Sequence, residues 1–437
     1  MTSGEAEQGD GARSADATQW SVIARHAGFR RLFAGTSVSL LGSSVTTVAL
    51  PLVAVVMLGA SPLEMGILGA AAFLPHVVLG LPAGVWVSRW PFRRVIVGAD
   101  LISALALACV PILGIAGALE MWHLFVLVVI TGTCGLFSAV ASQSFTPLLV
   151  PRRDLLAANG AMAMSSSVVS TTGSALGGVL VQLLTAPIAI AVDAVSLLVS
   201  AAMKARIPSD ARGHERAERA SSMLRGIAAG LHIVLRGSST LRATTIAATV
   251  GAMAGQMQAV VLVLFLVRSL DLSPGTVGAA IAVSGAAGIL GAVIGVPISR
   301  RLGSGPTFIL GMLVSSAAGI VLALAAGPFV LVANVVVAAQ LLRGWGPTLY
   351  GINQQTIRQT LVPPHRLAQA QATWRFLVFG VQPIGALLGG VLGTALGFRA
   401  TLVISSLVML LGVATAVLSP LRRMREVSEE SSDPVLG

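Results

Sequence analysis

Residues 149–178, LVPRRDLLAANGAMAMSSSVVSTTGSALGG, return as residues 361–390, LVPPHRLAQAQATWRFLVFGVQPIGALLGG. Leu149-Val150-Pro151 falls on Leu361-Val362-Pro363, Leu155 on Leu367, Gly173 on Gly385, and Gly177-Gly178 on Gly389-Gly390, all at one constant offset. The match therefore runs through a loop and into a helix without a gap. Arg25 and Arg31 match Arg236 and Arg242 at an offset one residue shorter, which carries the repeat to the entry of each half. Such a pattern predicts a duplicated unit, and parallel repeats of this kind place a binding site between the halves, near the middle of a membrane.

Outward from the repeat, the chain is 55% hydrophobic and only 10% charged over 437 residues, with a mean hydropathy of +0.88. A water-soluble domain does not carry that balance. With roughly 20 apolar residues needed per crossing, the long runs predict about twelve spanning helices. They lie near 32–58, 64–88, 95–117, 121–147, 157–184, 187–206, 240–268, 274–299, 306–326, 328–351, 367–396 and 398–420. The expected fold class is thus an all-α integral membrane protein, two pseudo-symmetric bundles of six helices each.

The long polar insert, with Arg212, Arg216, Arg219 and Arg225 among Asp210, Glu215 and Glu218, divides the halves. This gives a tail 1–28, a bundle 29–206, a linker 207–236, a bundle 237–421 and a polar tail 422–437. Basic residues fall on one side: Arg25, Arg30 and Arg31; Arg89, Arg93 and Arg94; Arg152 and Arg153; the insert; Arg300 and Arg301; Arg358 and Arg366; and Arg422, Arg423 and Arg425. The opposite side shows Arg268 and Arg399. By the positive-inside rule both termini are cytoplasmic. The net charge of +11 is then loop arginine, and nucleic acid is not expected as a partner. Cys109 and Cys134 sit in apolar runs as small buried hydrophobes. The N-terminus lacks a short apolar core with a cleavage site, so no cleaved signal peptide is expected.

Gly173-x-x-x-Gly177 and Gly385-x-x-x-Gly389 put small residues on one helix face, for close packing or for gating. Gly178, Pro383 and Gly390 belong to the same stretches. The segment Gly80-Leu-Pro82-Ala-Gly84-Val-Trp-Val-Ser88-Arg89, continued by Arg93 and Arg94, joins the second and third spans. It resembles the signature loop of the major facilitator superfamily, with Ser88 at the place of that family's Asp. The stretches around Pro147–Gly178 and Asn353–Arg399 look like the bacterial branch of drug, macrolide and siderophore exporters, and the likeness runs from about Phe29 to Leu421. The Gly-Pro of related antiporters is Gly173-Ser174 here, while Pro383 remains in the second half.

That resemblance implies export of a small amphipathic organic compound across a bacterial plasma membrane by alternating access. The energy would come from protons, and the lipid bilayer, the compound and protons are the expected partners of a monomer. Importer or facilitator, and a non-transporting scaffold or sensor, stay open as alternatives. It also implies that the first, fourth, seventh and tenth spans line the cavity, which makes Gln256, Asn334 and Gln340 substrate-contact candidates. Arg343, Arg375 and Gln382, polar at membrane depth, are further substrate-cavity candidates, and Gln258 is a neutral hydrogen-bonding group at the same depth. Ionisable residues there are costly unless paired or wetted, so Asp193 and Asp100 are candidates for coupling, or for permanent pairing. His76 is either titratable or a satisfied bundle histidine. No arginine stands in 121–147, where many proton antiporters of the superfamily have one.

Enzyme chemistry has no footing. A nucleotide-driven pump needs a Gly-rich loop ending in Lys-Ser or Lys-Thr, and the lone lysine, Lys204, precedes Ala205. No His, Cys or Asp set has metal-ligand spacing and no Gly-x-Ser-x-Gly elbow occurs, so neither a metal nor a cofactor is expected.

Overall fold

The computed structural model describes residues 19–208, His232 and 237–424. Most of the N-terminal tail, of the 207–236 linker and of the C-terminal tail lies outside the described residues. Helices in chain order are α1 (Gln19–Arg25), α2 (Ala27–Leu52), α3 (Pro62–Val78), α4 (Gly80–Ser88), α5 (Phe92–Ile115), α6 (Met121–Leu149), α7 (Leu155–Leu184) and α8 (Ala186–Ala205). The second bundle holds α9 (Ser239–Leu264), α10 (Pro274–Leu302), α11 (Ser304–Ala323), α12 (Phe329–Leu361), α13 (Pro364–Ala395) and α14 (Gly397–Val417).

Ten helices among the described residues are long and apolar enough to cross a membrane, and α3 with the end of α4, bent by 59°, makes an eleventh. Helix α7 has 30 residues, more than a hydrocarbon core about 30 Å thick requires. Counting α7 with these, six stretches long enough to cross lie in each half of the described chain. Exposed apolar side chains such as Leu105, Ile188, Leu331 and Leu407 cover their outer faces, as a lipid solvent requires.

Local chemistry sets the helix ends. Ser61 caps α3 with Glu64 in a capping box, and Ser273 accepts from the Thr276 N–H at the start of α10. Each serine is followed by proline, whose missing N–H costs nothing in a first turn. Both α2 and α9 finish in a five-residue π-helical segment, Val53–Met57 and Phe265–Ser269. These pairs keep the offset seen in the sequence, so the repeat reaches backbone detail.

Two spans differ from expectation. The second breaks at Leu79 instead of running straight to 88: Pro82 has no N–H for the Val78 carbonyl, and a bend follows. The tenth, expected to stop near 351, continues to Leu361. Residues 352–361, INQQTIRQTL, are too polar for a hydropathy window but contain no helix breaker before Pro363. Arg358, read above as a loop arginine, is consequently buried in the last turns of α12.

Glycines place the helices. Within the first bundle Gly173 and Gly177 of α7 lie against Ser44 and Val45 of α2, and within the second Gly385 and Gly389 of α13 lie against Met253 and Met257 of α9. The next glycine of each set faces the other bundle. Gly178 meets Gly278 of α10, and Gly390 meets Gly66 of α3, where an added Cβ would stand 3.0 Å from the Gly66 Cα. Gly66 and Gly278 are themselves related by the repeat offset, so the two crossings are equivalent by pseudo-symmetry. Both lie toward the end opposite the one that carries Gln19 and Arg423. At that far end Arg268 also donates to the Ala60 carbonyl across the bundles at 2.7 Å. Phe73 and Phe379 stack between α3 and α13 with centroids 6.5 Å apart.

Candidate functional site

A cavity of about 450 Å³ opens between α9, α12 and α13, within the range of about 300–1,000 Å³ usual for small-molecule sites. It lies in the half of the bundle nearer the chain termini, away from the sealed crossings. Helical spacing builds each wall. Gly251 and Gly255 are four apart on α9; Tyr350, Gln354 and Arg358 repeat every four residues on α12; Trp374, Val378 and Gln382 do so on α13. Gly255 and Gly351 leave space, since a Cβ at either would touch nothing within 4 Å.

The lining combines five glutamines (Gln256, Gln354, Gln355, Gln371 and Gln382), two aromatic residues and one charged side chain. That charge is Arg358, 4% exposed. Its guanidinium carbon lies 4.3 Å from the centre of the Trp374 ring, a cation–π contact. Among the described residues its Nε and Nη1, the Gln354 Nε2 and the Trp374 Nε1 are buried without a hydrogen-bond partner.

Of the polar residues singled out in the sequence, Gln256 and Gln382 line the cavity. Asn334 is exposed and donates to the Val330 carbonyl of its own helix. Gln340 is buried with neither amide atom partnered, outside the lining. Arg343 is half-buried and Arg375 exposed, neither in the lining. Gln258 donates to the Ser406 hydroxyl, joining α9 to α14. His76 packs against Phe379 with ring centres 5.8 Å apart.

The two carboxylates differ in company. Asp100 on α5 accepts from Lys204 Nζ at 2.8 Å and from Ser200 at 2.7 Å, both on α8. Gly35 of α2 makes room for the lysine stem. Asp193, 1% exposed, accepts from the hydroxyls of Thr46 on α2 and Ser196 one turn on. Among the described residues no cation pairs with it; the ion pairs are Lys204–Asp100 and His26–Asp154. Gly42 lies against Asp193 and Ser196, where any Cβ would collide with both.

In the loop after the second span, Gly80, Pro82 and Gly84 lie within α4, and Arg89 and Arg94 are exposed. Arg93 donates to the Ile207 carbonyl at 2.9 Å and Arg31 to that of Arg206 at 2.5 Å, so the two arginines occupy carbonyls at the end of α8. Pro383 removes the helix bond to the Phe379 carbonyl beside the inter-bundle stack. Gly173, Gly177, Gly385 and Gly389 lie within bundles, and Gly178 and Gly390 between them.

Sequence reading missed Arg358 and Trp374 as site residues. The available signal was the every-fourth spacing of Tyr350, Gln354 and Arg358, which continues a helix beyond the apolar run.

Comparison with known proteins agrees with the architecture. Residues 17–436 match the family described as transmembrane secretion effector. The chain is 28% identical over 394 residues to the multidrug efflux pump Tap of Mycolicibacterium fortuitum, covering 88% of this chain and 93% of that protein. Against Tap of Mycobacterium tuberculosis it is 27% identical over 421 residues, 94% and 97% of the two chains. Macrolide efflux protein A of Streptococcus pyogenes is 28% identical over 182 residues, 41% of this chain and 45% of that one. Among solved structures, the nucleoside transporter NupG superposes with a TM-score of 0.71 at 12% identity, over 89% and 99% of the chains. A bacterial homologue of the iron transporter ferroportin in its inward-facing state does so at 0.67 and 16% identity, over 89% and 98%.

Proposed function

The chain belongs to the transmembrane secretion effector family of the major facilitator superfamily, and from that premise we propose that it exports a small amphipathic organic compound by alternating access. The observation that carries this reading is the cavity itself. Amide, aromatic and small-residue walls suit an organic body with a few hydrogen-bonding groups better than an inorganic ion. The cavity lies toward the chain termini while the far end is closed by the Gly178–Gly278 and Gly66–Gly390 crossings. With both termini in the cytoplasm this is a cytoplasm-facing state, ready to load. Export then needs the far crossings to part while the terminal ends of the bundles 29–206 and 237–421 close. The efflux relatives support the direction.

Proton coupling is assigned to Asp193. Asp100 and Lys204 neutralise one another, whereas among the described residues Asp193 has hydroxyl partners alone. A hydroxyl rotates to donate or to accept, so Thr46 and Ser196 serve either protonation state of the carboxyl. Replacing Asp193→Asn should abolish the protonophore-sensitive part of efflux while leaving dye affinity unchanged, because the residue is not in the cavity lining. Accumulation of a panel of dyes and antibiotics in efflux-deficient bacteria, with and without protonophore, reads the first; titration of purified protein reads the second. An Asp193→Asn variant that still expels compounds in a protonophore-sensitive way would remove Asp193 from the coupling step. If wild type and empty vector accumulate every compound alike although the protein is in the membrane, the export reading itself fails.

The cavity makes its own prediction. Gly255→Leu or Gly351→Leu should fill it from open space, weakening binding of the bulkier compounds about tenfold, as a steric cost of ~1–3 kcal/mol implies. Protein yield should be unaltered. Unchanged affinity across the panel in both variants would place the substrate elsewhere.

A further inference from the structure

Resting on the export reading, we propose that the transported compound carries an oxyanion, a carboxylate or an acidic phosphate or sulfonate group, on a flat apolar body, and that Arg358 is the residue that recognises it. Arg358 is the charged member of the cavity lining, which among the described residues contains no Asp or Glu. Its Nε and Nη1 are buried and bonded to nothing among the described residues. A buried cation is unfavourable unless something pairs it.

The protein supplies part of the compensation. Arg358 stands in the last turn of α12, where the carbonyl end of the helix favours positive charge, and the Trp374 ring covers one face. Neither occupies the guanidinium N–H groups. Over the indole, the guanidinium keeps its planar fork of donors, a shape that fits an oxyanion. Among the described residues Gln354, one turn earlier, adds an amide N–H without a partner, and so does the Trp374 indole. Donors without acceptors thus gather beside the arginine. The remaining walls, Gly251, Gly255, Gly351 and Val378 with Tyr350, offer surface for an apolar ring system.

The repeat shows that the bundle does not need this arrangement. At the equivalent positions of the first half stand Thr146 and Met162. Thr146 satisfies itself on the Ser142 carbonyl. Among the described residues the arginine–tryptophan contact lies in the second half, in the lining of this cavity.

A matched pair of probes tests this: 1-pyrenebutyrate and 1-pyrenebutyramide, which share a body and differ in the anionic group. Purified full-length wild type should bind the acid about tenfold or more tightly than the amide, the discrimination expected of a charge-assisted hydrogen-bonded pair. Arg358→Gln should erase that preference. Arg358→Lys, which keeps the charge but not the planar fork, should retain part of it, and Trp374→Phe should weaken both probes. A wild-type protein that takes the acid no better than the amide, or takes neither, overturns the proposal; so does a preference that survives in Arg358→Gln. Should the Gln variant fail to fold, Arg358→Lys and Trp374→Phe still decide it, because a site elsewhere would leave both unaffected.

Lipid headgroups are a second source of oxyanions at this depth. Phosphatidylglycerol retained through purification by wild type but not by Arg358→Gln, with pyrenebutyrate indifferent to residue 358, would assign the guanidinium to lipid and overturn the substrate claim. Binding of the acid without transport in vesicles would leave the recognition site standing and defeat the export reading instead.

Discussion

Leucine in place of Gly178 is expected to reduce transport to the empty-vector level while the protein still inserts and folds. Gly178 meets the Gly278 backbone between the bundles; in the reverse direction, a Cβ on Gly278 would stand 2.6 Å from the Gly178 carbonyl oxygen. A side chain therefore has no place while the far end is closed, and overpacking there costs ~1–3 kcal/mol or more. Nothing within a bundle is disturbed, because the partner of Gly178 is on the opposite one. The penalty falls on one conformation alone, and each 1.4 kcal/mol shifts the balance of states about tenfold. The variant should accumulate with the far end open. Ala386, fully buried beside the pseudo-equivalent crossing at Gly66, serves as reporter. In a background with Cys109 and Cys134 replaced by serine, Ala386→Cys should react with a membrane-impermeant thiol reagent much faster when residue 178 is leucine. Equal labelling with full transport would show that the crossing does not open during the cycle. Gly177→Leu is the control: its neighbours Ser44 and Val45 are in the same bundle, so loss of folded protein is the expected outcome.

Removing one member of the Asp100–Lys204 pair is expected to destabilise the first bundle strongly. Both side chains are nearly inaccessible, at 4% and 2% exposure, and truncating one partner of such a pair leaves a bare buried charge, at a cost of ~3–5 kcal/mol. Asp100→Ala or Lys204→Met should lower the temperature at which purified protein loses its monodisperse state and should reduce its amount in the membrane. The repeat supplies the rescue. At the equivalent positions of the second half stand Met312 and Ala416, both in one apolar cluster. Asp100→Met combined with Lys204→Ala should therefore recover most of the loss, since a buried ion pair is often replaceable by well-packed apolar groups. Two single variants as stable as wild type would mean that the pair contributes nothing. A double variant no better than the singles would mean that Ser200 and the space left by Gly35 are matched to the ions alone.

Much of this molecule is legible in one dimension because the signals concerned are local. An apolar run of sufficient length crosses a bilayer whatever its neighbours do, so the positions of nearly all the crossings follow from hydropathy. Repetition is equally local: the glycines at 173, 177 and 178 and at 385, 389 and 390 announce the duplication, and Ser-Pro at 61–62 and at 273–274 marks equivalent helix starts. Division of labour among those glycines is not local. Adjacent residues 177 and 178 look alike in sequence, yet about 100° of helix rotation turns one toward α2 and the other toward the opposite bundle. The same applies to the charges. Asp100 and Asp193 are two carboxylates in apolar runs until folding brings Lys204 to one and the hydroxyls of Thr46 and Ser196 to the other. Arg358 reads as a loop residue because hydropathy falls where α12 leaves its apolar stretch, although the helix itself continues. Composition and periodicity determined the membrane, the crossings and the repeat; the relative rotation and length of packed helices decided which side chains seal the far end, which carboxylate is paired and which arginine enters the cavity.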